Sequence, residues 1–244
     1  MGTTTRSLPR IVALGDAAVL AEFSQTLDLA VNARIQHLAR AIRARNAPWI
    51  RDVVPAMGTL AIHIDPASRE PDFSARDAAV ELINGCLETL APEPDEPARL
   101  VELPVCHDAE FAPDLSEVAK LCGLSAEAVI NLHCASPHRV LMVGFVPGHP
   151  YIGGLDPALS VPRRATPRTK ISAGSIAIAN AQTVVYPFVT PGGWNIIGRT
   201  PLRVFDATRE PPALMQPGDR VAFVAIDRAR YDELARTAGS DGDP

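Results

Sequence analysis

The 244-residue chain lacks most of the features that would announce a chemistry directly. It has four cysteines, Cys86, Cys106, Cys122 and Cys134, and no Cys-x-x-Cys pair. Cys106-His107 and His133-Cys134 are adjacent pairs, whereas ligands of one tetrahedral ion are usually spaced two to four residues apart. Free buried thiols are therefore expected, with no metal site and, in a reducing compartment, no disulfides. Cations are not in excess: 23 Lys and Arg against 28 Asp and Glu leave a net charge of -5. That balance argues against the broad basic face that nonspecific nucleic-acid binding needs. The longest apolar run, Val140 to Val146, is far too short to span a bilayer. The opening MGTTTRSLPR carries no apolar signal core, so a cytoplasmic protein without a membrane partner is expected. There is no GxxxxGK(S/T) phosphate loop, no GxSxG elbow, no GxGxxG turn and no AMKM biotin-attachment segment. No nucleophile with an adjacent base is evident, so catalytic residues are not assigned.

What is present divides into two parts. Ala91 to Ala98, with three prolines and three acids, reads as a linker between a domain at residues 1–92 and a larger one at residues 98–236. In the first, Ala17 to Phe23 reads as a strand. Asp28 to Arg45 reads as a helix with Val31, Ile35, Leu38 and Ile42 on one face. Val53-Val54 and Leu60 to Ile64 read as strands around Met57-Gly58. A second helix from Ser74 carries Val80, Ile83, Leu87 and Leu90, with Asp77 placed as in a capping box. Two helices over a small antiparallel sheet predict an α+β layer of ferredoxin-like type.

The second part opens with a strand at Arg99 to Val105 and two short helices, Asp114 to Cys122 and Ser125 to Cys134. Their spacing is that of a helix-turn-helix, but the second helix begins Ser125, Ala126, Glu127 and holds no Lys or Arg, so DNA contact is not expected. From Arg139 the signals are nearly all β: Val140 to Val146, Ser175 to Ala179, Thr183 to Val189, Asn195 to Ile197, Leu202 to Phe205 and Arg220 to Ile226. Many short strands at this spacing predict a barrel. A helix at Arg228 to Arg236 and a disordered tail at residues 237–244 complete the reading.

Between Gly144 and Asp206, glycine and proline punctuate short apolar runs, and the polar and aromatic residues cluster. Strand alternation puts Gln182, Val184 and Tyr186 on one face, with Thr183 and Val185 on the other. An amide and a phenol near Phe145 and Tyr151 suit a small polar ligand, and Trp194 suits a lid or interface anchor. Arg163, Arg164, Arg168 and Lys170 form a basic loop that reads either as a solvated loop or as an anion clamp. Arg199 is a second clamp candidate. Asp156, before a proline, reads as a turn former or as a group orienting a ligand.

The segments GFVPGHPYIGGLDP, QTVVYP and PGGWNIIGRTP resemble the B component of the ATP-dependent 5-oxoprolinase family. This family is also called Kip inhibitor or allophanate hydrolase subunit 1, and it recurs as half of the carboxyltransferase domain of urea carboxylase. The resemblance covers nearly the whole chain. It implies a C-terminal cyclophilin-like β-barrel and a role in opening 5-oxo-L-proline to L-glutamate with ATP hydrolysis. It also implies partnership with the C and A components of 5-oxoprolinase, ATP being held at the level of the complex, and activity only within it. The expected substrate-binding residues are Phe145, His149, Tyr151, Asp156, Arg168, Gln182, Tyr186, Trp194 and Arg199. The Kip name implies a second role, inhibition of a sensor histidine kinase, and an allophanate-hydrolase role is the third. His149 stands where the family usually has phenylalanine, and Ala177, Asn180 and Val184 stand where it usually has glycine.

Overall fold

A computed structural model describes residues 8–65, 68, 74–90 and 98–240, with side chains described as far as Thr237. The chain divides into two compact units, Met1–Pro97 and Ala98–Pro244. The proline-rich linker expected at Ala91 to Ala98 falls almost wholly outside the described residues.

In the first unit the elements run β1 (Arg10–Ala13), β2 (Ala18–Glu22), α1 (Leu29–Arg43), β3 (Ile50–Pro55), β4 (Thr59–Ile64) and α2 (Ala75–Thr89). Asp28 starts α1, its Oδ1 accepting from the amides of Ala30 and Val31 at 2.8 and 3.0 Å, which satisfies two otherwise unpaired donors. Ser74 does the same for α2 through the Asp77 amide. Ile35, Leu38, Ile42 and Ile83 are wholly buried against Leu60 and Ile62, so the periodic apolar faces are the core. The sheet is antiparallel in the order β1-β2-β4-β3. The layer is as expected, but its connectivity is not the β-α-β-β-α-β of a ferredoxin-like fold. It is β-β-α-β-β-α, because β1 precedes β2 in a hairpin. β1 gives no sequence signal: RIVA is four residues long with both ends exposed.

The second unit is built on β5 (Leu100–Cys106), α3 (Leu115–Cys122), α4 (Ala126–Ala135), β6 (His138–Val143), β7 (Pro150–Gly153), β8 (Arg168–Ile171), β9 (Ser175–Ala179), β10 (Gln182–Val185), β11 (Thr190–Gly192), β12 (Asn195–Arg199), β13 (Arg220–Ile226) and α5 (Arg228–Ser240). Seven strands close a barrel in the order β10-β7-β6-β13-β5-β12-β9, consistent with a cyclophilin-like one. Closure removes the sheet edges that would otherwise be unpaired. Leu103, Val105, Val140, Ile152, Ile176 and Ile197 are wholly buried in the interior core. The helix pair packs on this barrel: α4 lies against β13, and Val129 and His133 are buried. β8 and β11 form a separate two-stranded ribbon.

Three expectations are corrected. Leu202 to Phe205 is not a strand; within it only Phe205 makes an isolated bridge, to Ala213, because prolines at 201, 211 and 212 withhold donors on both sides. The run Thr183 to Val189 breaks at Tyr186-Pro187, and β11 follows. The last helix continues through Ser240 instead of ending at Arg236, since no proline interrupts it and Thr237 Oγ1 donates to the Glu233 carbonyl at 3.2 Å.

Candidate functional site

Between β6 and β7 the chain turns through Gly144 to His149. The Gly144 amide donates to the His149 carbonyl at 3.0 Å, and the His149 amide to the Val146 carbonyl at 3.1 Å. This closure forces Phe145 to φ +73, a region unfavourable to a bulky residue, with its side chain largely exposed. Gly148, at φ +74, lies so close to Phe205 that a Cβ would come within 2.6 Å of it. Backbone strain at an exposed aromatic is a mark of functional constraint.

The turn delivers His149 into a nest of rings. Its imidazole lies 5.5 Å from Phe145, 5.1 Å from Tyr151 on β7, and 5.2 Å edge-on from Tyr186 at the exit of β10. Tyr151 reaches Trp194, just before β12, at 6.2 Å. Arg163, from the loop before β8, lays its guanidinium 5.5 Å from the Trp194 ring centroid. Alternation on β9 and β10 makes this possible. Ile176, Ile178 and Val185 face the barrel interior, while Ala177, Ala179 and Val184 pack beneath Tyr186 and Trp194. Phe145, His149, Tyr151, Tyr186 and Trp194 are thus brought together, and Gln182 is buried on the face of β10 that carries Tyr186.

Burial controls the charge state of the cluster. His149 is 2% exposed and its Nδ1 has no hydrogen-bond partner among the described residues. Loss of hydration pushes its pKa down to about 4, so the ring is neutral near pH 7. Burial, reinforced by Tyr151, pushes the Tyr186 phenol up to about 12. The site is therefore a π-rich wall carrying uncharged donors and acceptors, with two cations, Arg163 and Arg168, at its margin. Such a wall can stack on and hydrogen-bond a flat, uncharged amide; it holds no group poised for proton transfer at neutral pH.

Three expected residues are engaged otherwise, Arg168 beside the cluster and Asp156 and Arg199 away from it. Arg168 does not offer an open clamp: its two terminal nitrogens donate to Asp114 Oδ1 and Oδ2, each at 2.8 Å. Arg164 donates to the same carboxylate at 2.6 Å and to Glu117 at 3.0 Å, and the Ile196 amide adds a fourth bond at 2.8 Å. The basic loop binds an anion, but the anion belongs to the chain. Asp114 reads from sequence as a helix start, yet its carboxylate makes no cap bond because the arginines take it. Its pairing partners lie 50 and 54 residues away, which no local pattern reveals. Asp156 caps a short 3-10 turn, accepting from the Ala158 amide at 2.8 Å. Arg199 sits at the far end of β12 from Trp194, donating through Nε to the Ala173 carbonyl at 2.9 Å and lying over Phe111.

A second polar group gives no signal in the sequence. Inside the barrel His133 Nε2 lies 3.2 Å from Thr183 Oγ1, and His138 Nε2 donates to the His133 carbonyl at 2.8 Å, with Phe223 packed against both rings. Asn180 occupies φ +52, where asparagine is the best substitute for glycine, and Ala177 and Val184 are wholly buried. All four cysteines are free, and no cluster among the described residues could hold a metal ion. No helix among them is long and apolar enough to cross a membrane.

Comparison with known proteins agrees with this architecture. The model of the carboxyltransferase domain, subdomain C and D, matches residues 9–215. The B component of 5-oxoprolinase from Bacillus subtilis is 38% identical over 230 residues, covering 91% of this chain and 95% of that one. Its namesake in Escherichia coli is 40% identical over 215 residues, covering 88% and 95%. The crystal structure of TTHA0988 superposes with a TM-score of 0.74 at 38% identity, covering 86% of this chain but only 40% of that longer one. The Kluyveromyces lactis urea carboxylase shares the fold, with a TM-score of 0.73 at 17% identity, over 94% of this chain and 23% of that one. The chain therefore belongs to the family of the carboxyltransferase domain, subdomain C and D.

Proposed function

We propose that this chain is the B component of a 5-oxoprolinase complex, which opens 5-oxo-L-proline to L-glutamate at the expense of ATP. The observation that carries the reading is the match to two 5-oxoprolinase B components at 38% and 40% identity, each along 95% of the relative. The aromatic cluster supports it. A five-membered lactam is a flat amide with a small apolar body, and rings with neutral hydrogen-bonding groups complement it without ionising it. ATP would supply the phosphoryl group that activates the lactam oxygen. On this reading the chain itself provides a wall: His149, Tyr151, Tyr186 and Trp194 hold the amide side of the pocket, and the exposed Phe145 seals it against a sister polypeptide. Arg163 is the cation placed to meet the substrate carboxylate, since Arg164 and Arg168 are committed to Asp114.

The test is reconstitution from purified A, B and C components. ATP-dependent release of glutamate is expected only when all three are present. Trp194→Ala is expected to raise KM for 5-oxo-L-proline about tenfold or more, the scale of a lost aromatic contact in a closed pocket. Unchanged turnover when this chain is omitted rules the assignment out.

A further inference from the structure

The second unit also holds a cavity of about 560 Å³ that takes no part in the aromatic cluster, lying beside the loops that follow β10 and β12. Three of its polar groups keep hydrogen-bonding capacity that the protein uses little or not at all. Arg199 uses Nε on the Ala173 carbonyl, but its two terminal nitrogens donate to nothing among the described residues. Tyr231, from α5, is 8% exposed with its ring 4.4 Å from Phe111, yet its hydroxyl makes no hydrogen bond among the described residues. Arg203 reaches only Asp206, at a long 3.5 Å, and is about half exposed. The Arg199 terminal nitrogens and the Tyr231 hydroxyl line one hollow, and no protein group occupies them, so both can donate to a ligand that enters it.

The remainder of the lining specifies the acceptor further. Phe188 and Phe205, 5.5 Å apart, contribute an apolar floor beside Leu202. Two guanidinium groups and the single Asp206 carboxylate leave one net positive charge, which matches a monoanion. Any anion meets some repulsion from Asp206, whose carboxylate Thr208 stabilises as an anion, and a dianionic phosphate would exceed the net charge of the lining where a monoanion balances it. We propose that this cavity is a binding site for a small carboxylate carrying a compact apolar body. Arg199 and Tyr231 would hold the carboxylate, Arg203 would screen it, and Phe188 and Phe205 would take the hydrocarbon. The proposal stands on the cavity alone and holds whether or not the complex opens 5-oxoproline.

The full chain can be titrated by calorimetry, with amide NMR as a second readout, using cyclopentanecarboxylate, its uncharged carboxamide and inorganic phosphate as probes. Saturable binding of the carboxylate at about 1 mM or tighter is expected, with neither of the other probes competing. Arg199→Gln is expected to weaken binding roughly tenfold or more, the scale of a charge-assisted bond. Tyr231→Phe, which keeps the ring on Phe111, and Arg203→Gln, at a surface position, are each expected to weaken it about two- to tenfold without changing Tm. Arg220→Gln, exposed and outside the cavity, serves as the unaffected control. Absence of saturable carboxylate binding overturns the proposal. So does binding that Tyr231→Phe and Arg203→Gln both leave unchanged, or a preference for phosphate.

Discussion

Replacing Asp114 by alanine tests the reasoning behind the basic loop most directly. The Asp114 side chain is 3% exposed and receives bonds from Arg164, Arg168 and the Ile196 amide. Its removal strands the Arg168 guanidinium, whose side chain is only 29% exposed, and leaves a buried strand amide without an acceptor. An orphaned buried amide costs about 1–3 kcal/mol. Breaking a buried ion pair from one side costs about 3–5 kcal/mol. Both arginines retain some access to water and Arg164 keeps Glu117, so that figure must be reduced for screening and the two are not additive. A net loss of about 3–4 kcal/mol follows, equivalent to a Tm roughly 10 °C lower for a unit of this size. Urea unfolding followed by circular dichroism gives the free energy, and a double-mutant cycle with Arg168→Ala isolates the pair. The loop that Asp114 pins also carries Arg163, so Trp194 emission should change in the native variant. A destabilisation below about 1 kcal/mol would refute the claim that the basic loop is held by an internal carboxylate.

Three further outcomes can be checked on the same material. His138 and His149 have folded-state pKa values near 4, below the usual 6.5, and His133 is depressed in the same direction. The unfolded chain therefore binds more protons between those limits: stability is complete above about pH 6.5 and falls as pH drops toward 4, by about 1.4 kcal/mol per pH unit for each group. His149→Phe, which keeps an aromatic ring without a titratable group, should lessen that slope by one proton while changing neutral-pH stability by less than about 1.5 kcal/mol; an unchanged slope would show that His149 is not buried neutral. Gly192→Ala would bring a Cβ to 2.4 Å from the Tyr186 hydroxyl, so a loss of about 1–3 kcal/mol with altered Trp194 emission is expected, and wild-type melting would contradict the packing. Phe145→Gly relieves a strained φ of +73 and should leave stability equal or about 1 kcal/mol higher, yet lower turnover of the reconstituted complex; full turnover would remove Phe145 from the site.

Sequence by itself determined what depends on near neighbours. The four-three-four spacing of Val31, Ile35, Leu38 and Ile42 fixed a buried helix face, because side chains at those intervals share one side of a helix. The two-residue period of β10 put Val184 and Tyr186 against the site and Val185 into the barrel, and glycine and proline between the short runs marked the turns that gather the rings. Tertiary structure alone decided which charges are free. Arg163, Arg164 and Arg168 look alike in a nine-residue loop, and only a carboxylate some fifty residues upstream, buried at the start of α3, separates the committed pair from the available one. The same holds for Arg199 and Tyr231, which reach one cavity from β12 and α5. Local pattern reports the face on which a side chain lies. Which partner it meets there depends on how distant segments close over it, and a polar group's function depends on whether that partner has already satisfied it.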